Sequence, residues 1–460
     1  MTRQRQSTGV PRADGSSGAT TRRRFLRATG AAGVAGLTGL AGCSGGGGGG
    51  GTITLGQPAL LSGNLQAIQP PVSASADMAV RKINQADGPL GREIEIVRRD
   101  TERSPQTARE VFNAFIEQDD VATINGFTST VVQPNWEFIL NQQVPIVSMY
   151  AGTRFLDTRG GDGGTPGDTS DDGWFWRTTG ADSQHATAAA IHTNRATADG
   201  AVVGAIHNKT SGSTTWAETF LSAIGVLDGV EAGERVPVDS GQSAYRSELD
   251  SFYESDADVL GTAMGVPSAT TLIRNWSDGG YGGNLMLSNP LRNPDTVSNV
   301  GQVAAEMDGW MRVSVPAISG PYASDYRSEL SSFVGRDDND YASDLAPNNW
   351  SASSYDSITL SALAIHAADS TDHTEIQSQI GRIARPGGTK VQTFADGKEA
   401  LDAGEEIDYV GAQTTVDFNE FGDVFNQARI FEVTSDGFTE NDSVSAERIR
   451  TNLDAQRSSN

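Results

Sequence analysis

Cys43 is the single thiol of the 460-residue chain, and its neighbours suggest what that thiol is for. It closes the run Leu40-Ala41-Gly42-Cys43, which has the form of a lipobox: the segment is cut before the cysteine and lipid is attached to its sulfur. Upstream, Thr21-Arg22-Arg23-Arg24-Phe25-Leu26 places two arginines before Phe-Leu, the form of a twin-arginine export address that a receptor reads. The apolar stretch from Ala28 to Ala41 is shorter than the about 20 residues that a spanning helix needs. Gly45 to Gly51 then make a flexible tether. Residues 1–42 are therefore expected to be a signal segment and 43–51 an anchor and tether, with lipid at Cys43 holding the chain to the outer face of the cell membrane. An acylated thiol is no nucleophile, and one cysteine allows neither an internal disulfide nor a thiolate cluster.

The other residue types that do chemistry are scattered. The five histidines (His185, His192, His207, His366 and His373) contain no His-Glu-x-x-His pair. His207 ends an apolar run, where it either lines a cleft or packs. Gly42-Cys43-Ser44-Gly45-Gly46 has the spacing of a nucleophile elbow, but it lies in the anchor and tether, not between a strand and a helix. The polyglycine satisfies Gly-x-Gly-x-x-Gly through composition alone. Carboxylates are so abundant that no catalytic pair stands out. The aspartates between Asp157 and Gly173 match no calcium-loop spacing and read as a solvated insertion. No catalytic residue, cofactor or metal is expected.

Charge narrows the partners. The chain carries 34 basic and 58 acidic residues, a net −24. Residues 1–42 hold seven arginines and one aspartate, so the remainder has 27 basic and 57 acidic side chains and a net −30. Nothing basic is left to neutralise phosphates, which argues against nucleic acid. An acidic surface of this kind suits concentrated salt, where the Debye length shrinks to about 3 Å at 1 M.

The elements that must position any site alternate from Thr52 onward. Strands are expected at 52–56, 94–97, 121–124 and 144–148, with helices between them around 72–83, from Ser104-Pro105 through Ile116, and from Gln133 to Asn141. A second series has strands at 201–206, 230–238, 258–261 and 284–288, with helices at 214–227, 244–253 and 269–277. Trp310 to Val315 reads as a chain crossing back. A long helix is expected from Ser353 to Ala368, late strands at 415–418 and 428–433, and a polar, frayed tail after Gly437. Units of about 30 residues with this alternation point to an α/β fold of parallel sheets.

Taken in order, several segments resemble the branched-chain amino-acid-binding proteins of ABC importers. They are Leu61-Ser62-Gly63, Ile83-Asn84-Gln85-Ala86-Asp87-Gly88, Gly91-Arg92-Glu93-Ile94 leading to Asp100, Gly126-Phe127-Thr128-Ser129-Thr130, Pro145-Ile146-Val147-Ser148, Phe175-Trp176-Arg177-Thr178, Tyr355-Asp356-Ser357, and Val416-Asp417-Phe418-Asn419-Glu420-Phe421-Gly422-Asp423. The resemblance covers about Thr52 to Gly437. It implies the type I periplasmic-binding fold: two doubly wound lobes joined by three crossings near residues 178, 312 and 410, with ligand in the cleft between them. The N-terminal lobe would hold 52–178 and 312–410, and the C-terminal lobe 179–311 and 411–437, leaving 438–460 as tail.

By the same resemblance, Ser129 and Thr130 occupy the first ligand loop, and Tyr150, Ala151 and Thr153 the second. Asn208, Ser211, Met264 and Asn289 face them from the other lobe. Several relatives carry an acidic residue at the last of these places, where it meets the ligand ammonium. Asn289 offers an acceptor without countercharge. The implied function is capture of a small polar ligand, an amino acid or amide, by a monomer that delivers it to ABC permease subunits in the membrane. With the acidic surface, the source would be a halophilic archaeon. A ligand-sensing receptor module and an anchored hydrolase with an acidic pair are the alternatives.

Overall fold

The computed structural model describes residues 51–62, 66–159 and 173–459. The export address, Cys43 and the tether as far as Gly50 lie outside these residues, as do Gly63 and residues 160–172 of the Asp- and Gly-rich loop.

One lobe begins with β1 (Ile53–Ala59), α1 (Gln69–Gln85), β2 (Ile94–Asp100), α2 (Pro105–Glu117), β3 (Thr123–Ile124), α3 (Ser129–Val132), α4 (Trp136–Gln142), β4 (Ile146–Ser148) and β5 (Phe175–Arg177). Its five strands form a parallel sheet in the order β2-β1-β3-β4-β5. Helix α2 shows how local chemistry sets the elements. The Ser104 hydroxyl accepts a hydrogen bond from the Thr107 amide, and Pro105 fills the first helical position, where a missing N–H costs nothing. Ala108, Val111, Phe112 and Phe115 then recur on one face and are buried.

The second lobe is laid down by α5 (Asp182–Ala196), β6 (Ala201–Asn208), α6 (Ser211–Ile224), β7 (Val230–Val238), α7 (Arg246–Tyr253), β8 (Val259–Ala263), α8 (Val266–Gly279), β9 (Asn284–Leu287), α9 (Pro294–Glu306) and β10 (Met311–Pro316). The chain returns to the first lobe with α10 (Ala323–Val334), α11 (Asn349–Ala368), α12 (His373–Ile380), β11 (Thr389–Val391), α13 (Phe394–Asp402) and β12 (Ile407–Tyr409). It ends in the second lobe with β13 (Ala428–Val433), β14 (Phe438–Val444) and α14 (Ala446–Ser459). The second sheet runs β14-β13-β10-β9-β8-β6-β7. Its strands are parallel from β7 to β10, and β13 and β14 close one edge antiparallel. In β8, Gly261 lets the Phe220 ring of α6 lie on the sheet, because a Cβ there would stand 2.6 Å from the ring.

Three sequence expectations change. The segment expected to cross back near residue 312 is β10, a strand paired with β9 and β13, and the chain leaves the second lobe only after Pro316. Met311, Val313 and Val315 are buried in that lobe's core, which explains the assignment. Residues 415–418 are not a strand: Val416 has φ +56°, which breaks extension, while Val416 and Phe418 pack into the first lobe's core. The expected frayed tail is β14 and α14, with Val444, Ile449 and Leu453 buried.

Candidate ligand-binding cleft

The connections decide where a cleft can form. The first leaves the carboxyl end of β5 and enters α5, which packs on α6 and β10. The second leaves the carboxyl end of β10, and the third enters β13 beside it, with the Ala317 amide donating to Gln427 O at 2.8 Å. Second and third also bond directly: Ser319 N to Gln413 O, and Tyr322 N to Gly411 O, each at 3.1 Å. First and third meet where Arg177 N donates to Gly422 O at 3.0 Å. The carboxyl edges of both parallel sheets therefore turn toward one hinge, and in open α/β sheets that edge is where ligands bind.

Helix α11 fastens this hinge. Every residue from Ser351 to Ile365 is buried, and its hydroxyls let it lie close to neighbouring backbone. Ser353 and Thr178 exchange side-chain-to-carbonyl bonds at 3.1 and 2.8 Å. The Asp356 carboxylate accepts from Ala412 N and Gln413 N at 2.7 Å and from the Tyr409 hydroxyl at 3.0 Å. Burial pushes its carboxyl up to about 7 against the pull of those donors.

On the first lobe's rim, the Ser148 hydroxyl organises two loops. It donates to Phe127 O at 3.0 Å and accepts from the amides of Tyr150 and Ala151 at 3.1 Å. Ser129, half-buried at the start of α3, accepts from Thr153 N at 3.1 Å, so the two predicted loops are brought together. Tyr150 is buried and donates to Gln69 Oε1 at 2.8 Å; burial raises its pKa and keeps it a neutral donor. The Thr153 hydroxyl caps the short turn Arg154–Leu156. Thr130 is exposed and accepts from Arg103 Nη2 at 3.2 Å.

On the second lobe's rim, Asn208 ends β6 and is 2% exposed. Its Oδ1 accepts from Gly265 N at 3.3 Å, while its Nδ2 has no partner. Met264 is buried beside Gly265, Ser211 is exposed at the start of α6, and Asn289 is half-buried where a short turn follows β9. His207 packs rather than lining the cleft. Arg235 can only donate to its Nε2, so Nδ1 carries the proton and donates to Asn208 O at 2.9 Å. Burial lowers its pKa and keeps it neutral. Among the described residues no group of three or more His, Cys, Asp or Glu is placed to hold a metal.

The family model for periplasmic binding proteins matches residues 52–437. The chain belongs to this family. Solved structures of the same fold include the leucine-binding protein LivK of Thermotoga maritima (17% identity, TM-score 0.63, covering 86% of this chain and 99% of that one). A solute-binding protein of an R. palustris ABC transporter, solved with benzoate, is similar at 12% identity and TM-score 0.60, over 86% and 98% of the two chains. The branched-chain amino acid transporter substrate-binding protein LivJ of Streptococcus pneumoniae, solved with isoleucine, has 15% identity and TM-score 0.57, over 85% and 100%. No curated protein matches the chain.

Within this periplasmic binding protein, sequence reasoning passed over the residue that holds the second loop in place. Arg177 is 1% exposed and donates from Nη1 to the carbonyls of Ala151 and Thr153, at 3.1 and 3.0 Å. Its Nε meets Asp423 at 2.5 Å and its Nη2 meets Asp157 at 2.6 Å. The signal was available: an arginine between Trp176 and Thr178 in a buried strand must find carboxylates. Gln69, which receives both Tyr150 Oη and Leu60 N, carried no such signal.

Proposed function

We propose that this chain is the solute-binding component of an ABC importer and captures a small polar solute, an amino acid or an amide, between its lobes. The observation that carries this reading is Asn208 Nδ2, a buried amide donor without a partner at the carboxyl edge of the second sheet. A buried donor left unpaired costs about 1–3 kcal/mol, which a carboxylate or amide oxygen of a ligand would recover. Isoleucine and benzoate, named with two of the similar structures, both carry such an oxygen. The first lobe offers Ser129, Thr153 and the neutral Tyr150 rather than charges. By the resemblance, Asn289 supplies an amide where several amino-acid-binding relatives carry an acid, which weights the reading toward amides over ligands whose ammonium needs a countercharge.

Export by the twin-arginine route, lipid at Cys43 and a salt-adapted, monomeric chain complete the proposal. The test is thermal melting with amino acids, simple amides and benzoate, in dilute buffer and in about 3 M KCl. A solute at 100 times its Kd should add about 2.7 kcal/mol. The gain should shrink in Asn208→Ala and Ser129→Ala, and the resting melting temperature should rise with salt. No gain with any panel member would sink the ligand reading. Melting that falls with KCl would sink the salt reading.

A further inference from the structure

Asp157 sits four residues beyond Thr153, and three of its groups reach three different elements. Oδ1 accepts from Arg177 Nη2 of β5 at 2.6 Å. Oδ2 accepts from the Ser183 hydroxyl, in the first turn of α5, at 2.6 Å. Its main-chain oxygen accepts from Arg457 Nη2 of α14 at 3.1 Å. The first partner belongs to the five-stranded lobe, and the helices of the other two pack in the seven-stranded lobe. One residue earlier in α5, the Asp182 amide donates to Gly152 O at 2.6 Å, inside the second ligand loop. Arg177 holds the carbonyls on either side of that glycine.

We propose that Asp157 is an interlobe clasp, a positioning residue that couples lobe rotation to the shape of loop 150–153 and so to the affinity of the cleft. This rests on the cleft being the solute site. The first turn of α5 directly follows the first connection, and α14 packs on α5, so rotation displaces Ser183 and Arg457 together against Asp157. Hydrogen bonds weaken steeply with angle and distance, so slight movement is enough to break them. The Arg177 arm stays intact because both of its ends belong to the first lobe. Asp423, on the third connection, keeps the buried guanidinium paired throughout.

Cutting the two interlobe arms while leaving Asp157–Arg177 in place tests this without stripping a buried charge. The full chain with Cys43→Ser would carry spin labels at Asn113→Cys in α2 and Ser277→Cys in α8, both exposed. The double change Ser183→Ala/Arg457→Gln should lengthen and broaden the label distance with no solute present. It should also weaken any panel member that binds by at least about fivefold, the low end for coupled sites. Ser183→Thr, which restores the hydroxyl, should return the distance toward that of the parent. The resting distance is read with no solute present, which separates failure of the clasp from failure of the cleft reading. A distance distribution in the double variant that overlays the parent's would overturn the proposal.

Discussion

At the scale of single residues, the hinge depends on carboxylates that burial would rather see protonated. Asp356 is the clearest. Gly411 packs so close that a Cβ there would meet its carboxylate at 2.5 Å, and the amides that follow point at the same oxygens. Its folded pKa, near 7, lies above the unfolded value of about 4. Its contribution to stability is therefore full below about pH 4 and is lost as pH rises through 7. Against an Asp356→Asn reference, the wild-type chain should lose on the order of a few kcal/mol between pH 4 and pH 8. Denaturant midpoints of the two proteins at those pH values check this. A pH-independent difference would mean that Asp356 keeps one charge state throughout. Of these residues, the sequence marked the Tyr355-Asp356-Ser357 segment and the Ser129 loop, but not their partners. Asp356 bonds a chain segment more than fifty residues away, and spacing along a sequence carries no record of that contact.

At the scale of elements, apolar periodicity located the helices and strands wherever burial was apolar. The strand expected at 230–238 is β7, and the helix expected at 269–277 is α8, which runs from Val266, with Pro267 in its first turn, to Gly279, where Gly280 at φ +70° ends it. Reading failed where burial was polar. Helix α14 buries only Ile449 and Leu453 among apolar side chains. Polar groups complete its docking, among them Gln456 Nε2 to Thr187 Oγ1 at 3.1 Å, Arg457 Nη2 to Asp157 O at 3.1 Å and the Arg450 guanidinium 4.5 Å over the Phe425 ring. Hydropathy counts such residues as solvent-facing. If α14 is docked, Leu453→Ala should cost about 2–4 kcal/mol, while Arg448→Ala at an exposed position should change stability by less than about 0.5 kcal/mol. Equal denaturation midpoints for the two variants would contradict the docking.

At the scale of the whole molecule, a net −24 and two lobes on a hinge accompany the proposed capture of a solute, and the proposed export address and anchor would set where that capture takes place. With the proposed lipid at Cys43, a tether of about eight flexible residues would span roughly 15 Å, short enough to keep the lobes beside the proposed membrane partner. In an export-competent host, the wild-type chain should fractionate with membranes and Cys43→Ser with the soluble exterior. Replacing Arg22 and Arg23 together by lysine should leave the protein inside the cell. Unchanged partition of Cys43→Ser would remove the anchor from the account.

Local patterns along the chain carried the α/β alternation, the order of most elements and the resemblance that pointed to the candidate cleft loops. These follow from local rules: apolar period, caps, and turn residues between strands. Tertiary contacts were needed to place β10 in the second sheet, to dock the tail as a strand and a helix, and to join loop 150–153 through Arg177 to Asp157 and Asp423. Each is a long-range pairing, and in the tail and at Arg177 a charged or amide side chain is buried because a distant partner satisfies it. Such satisfaction is a property of three-dimensional neighbours, and the residue types alone do not reveal it.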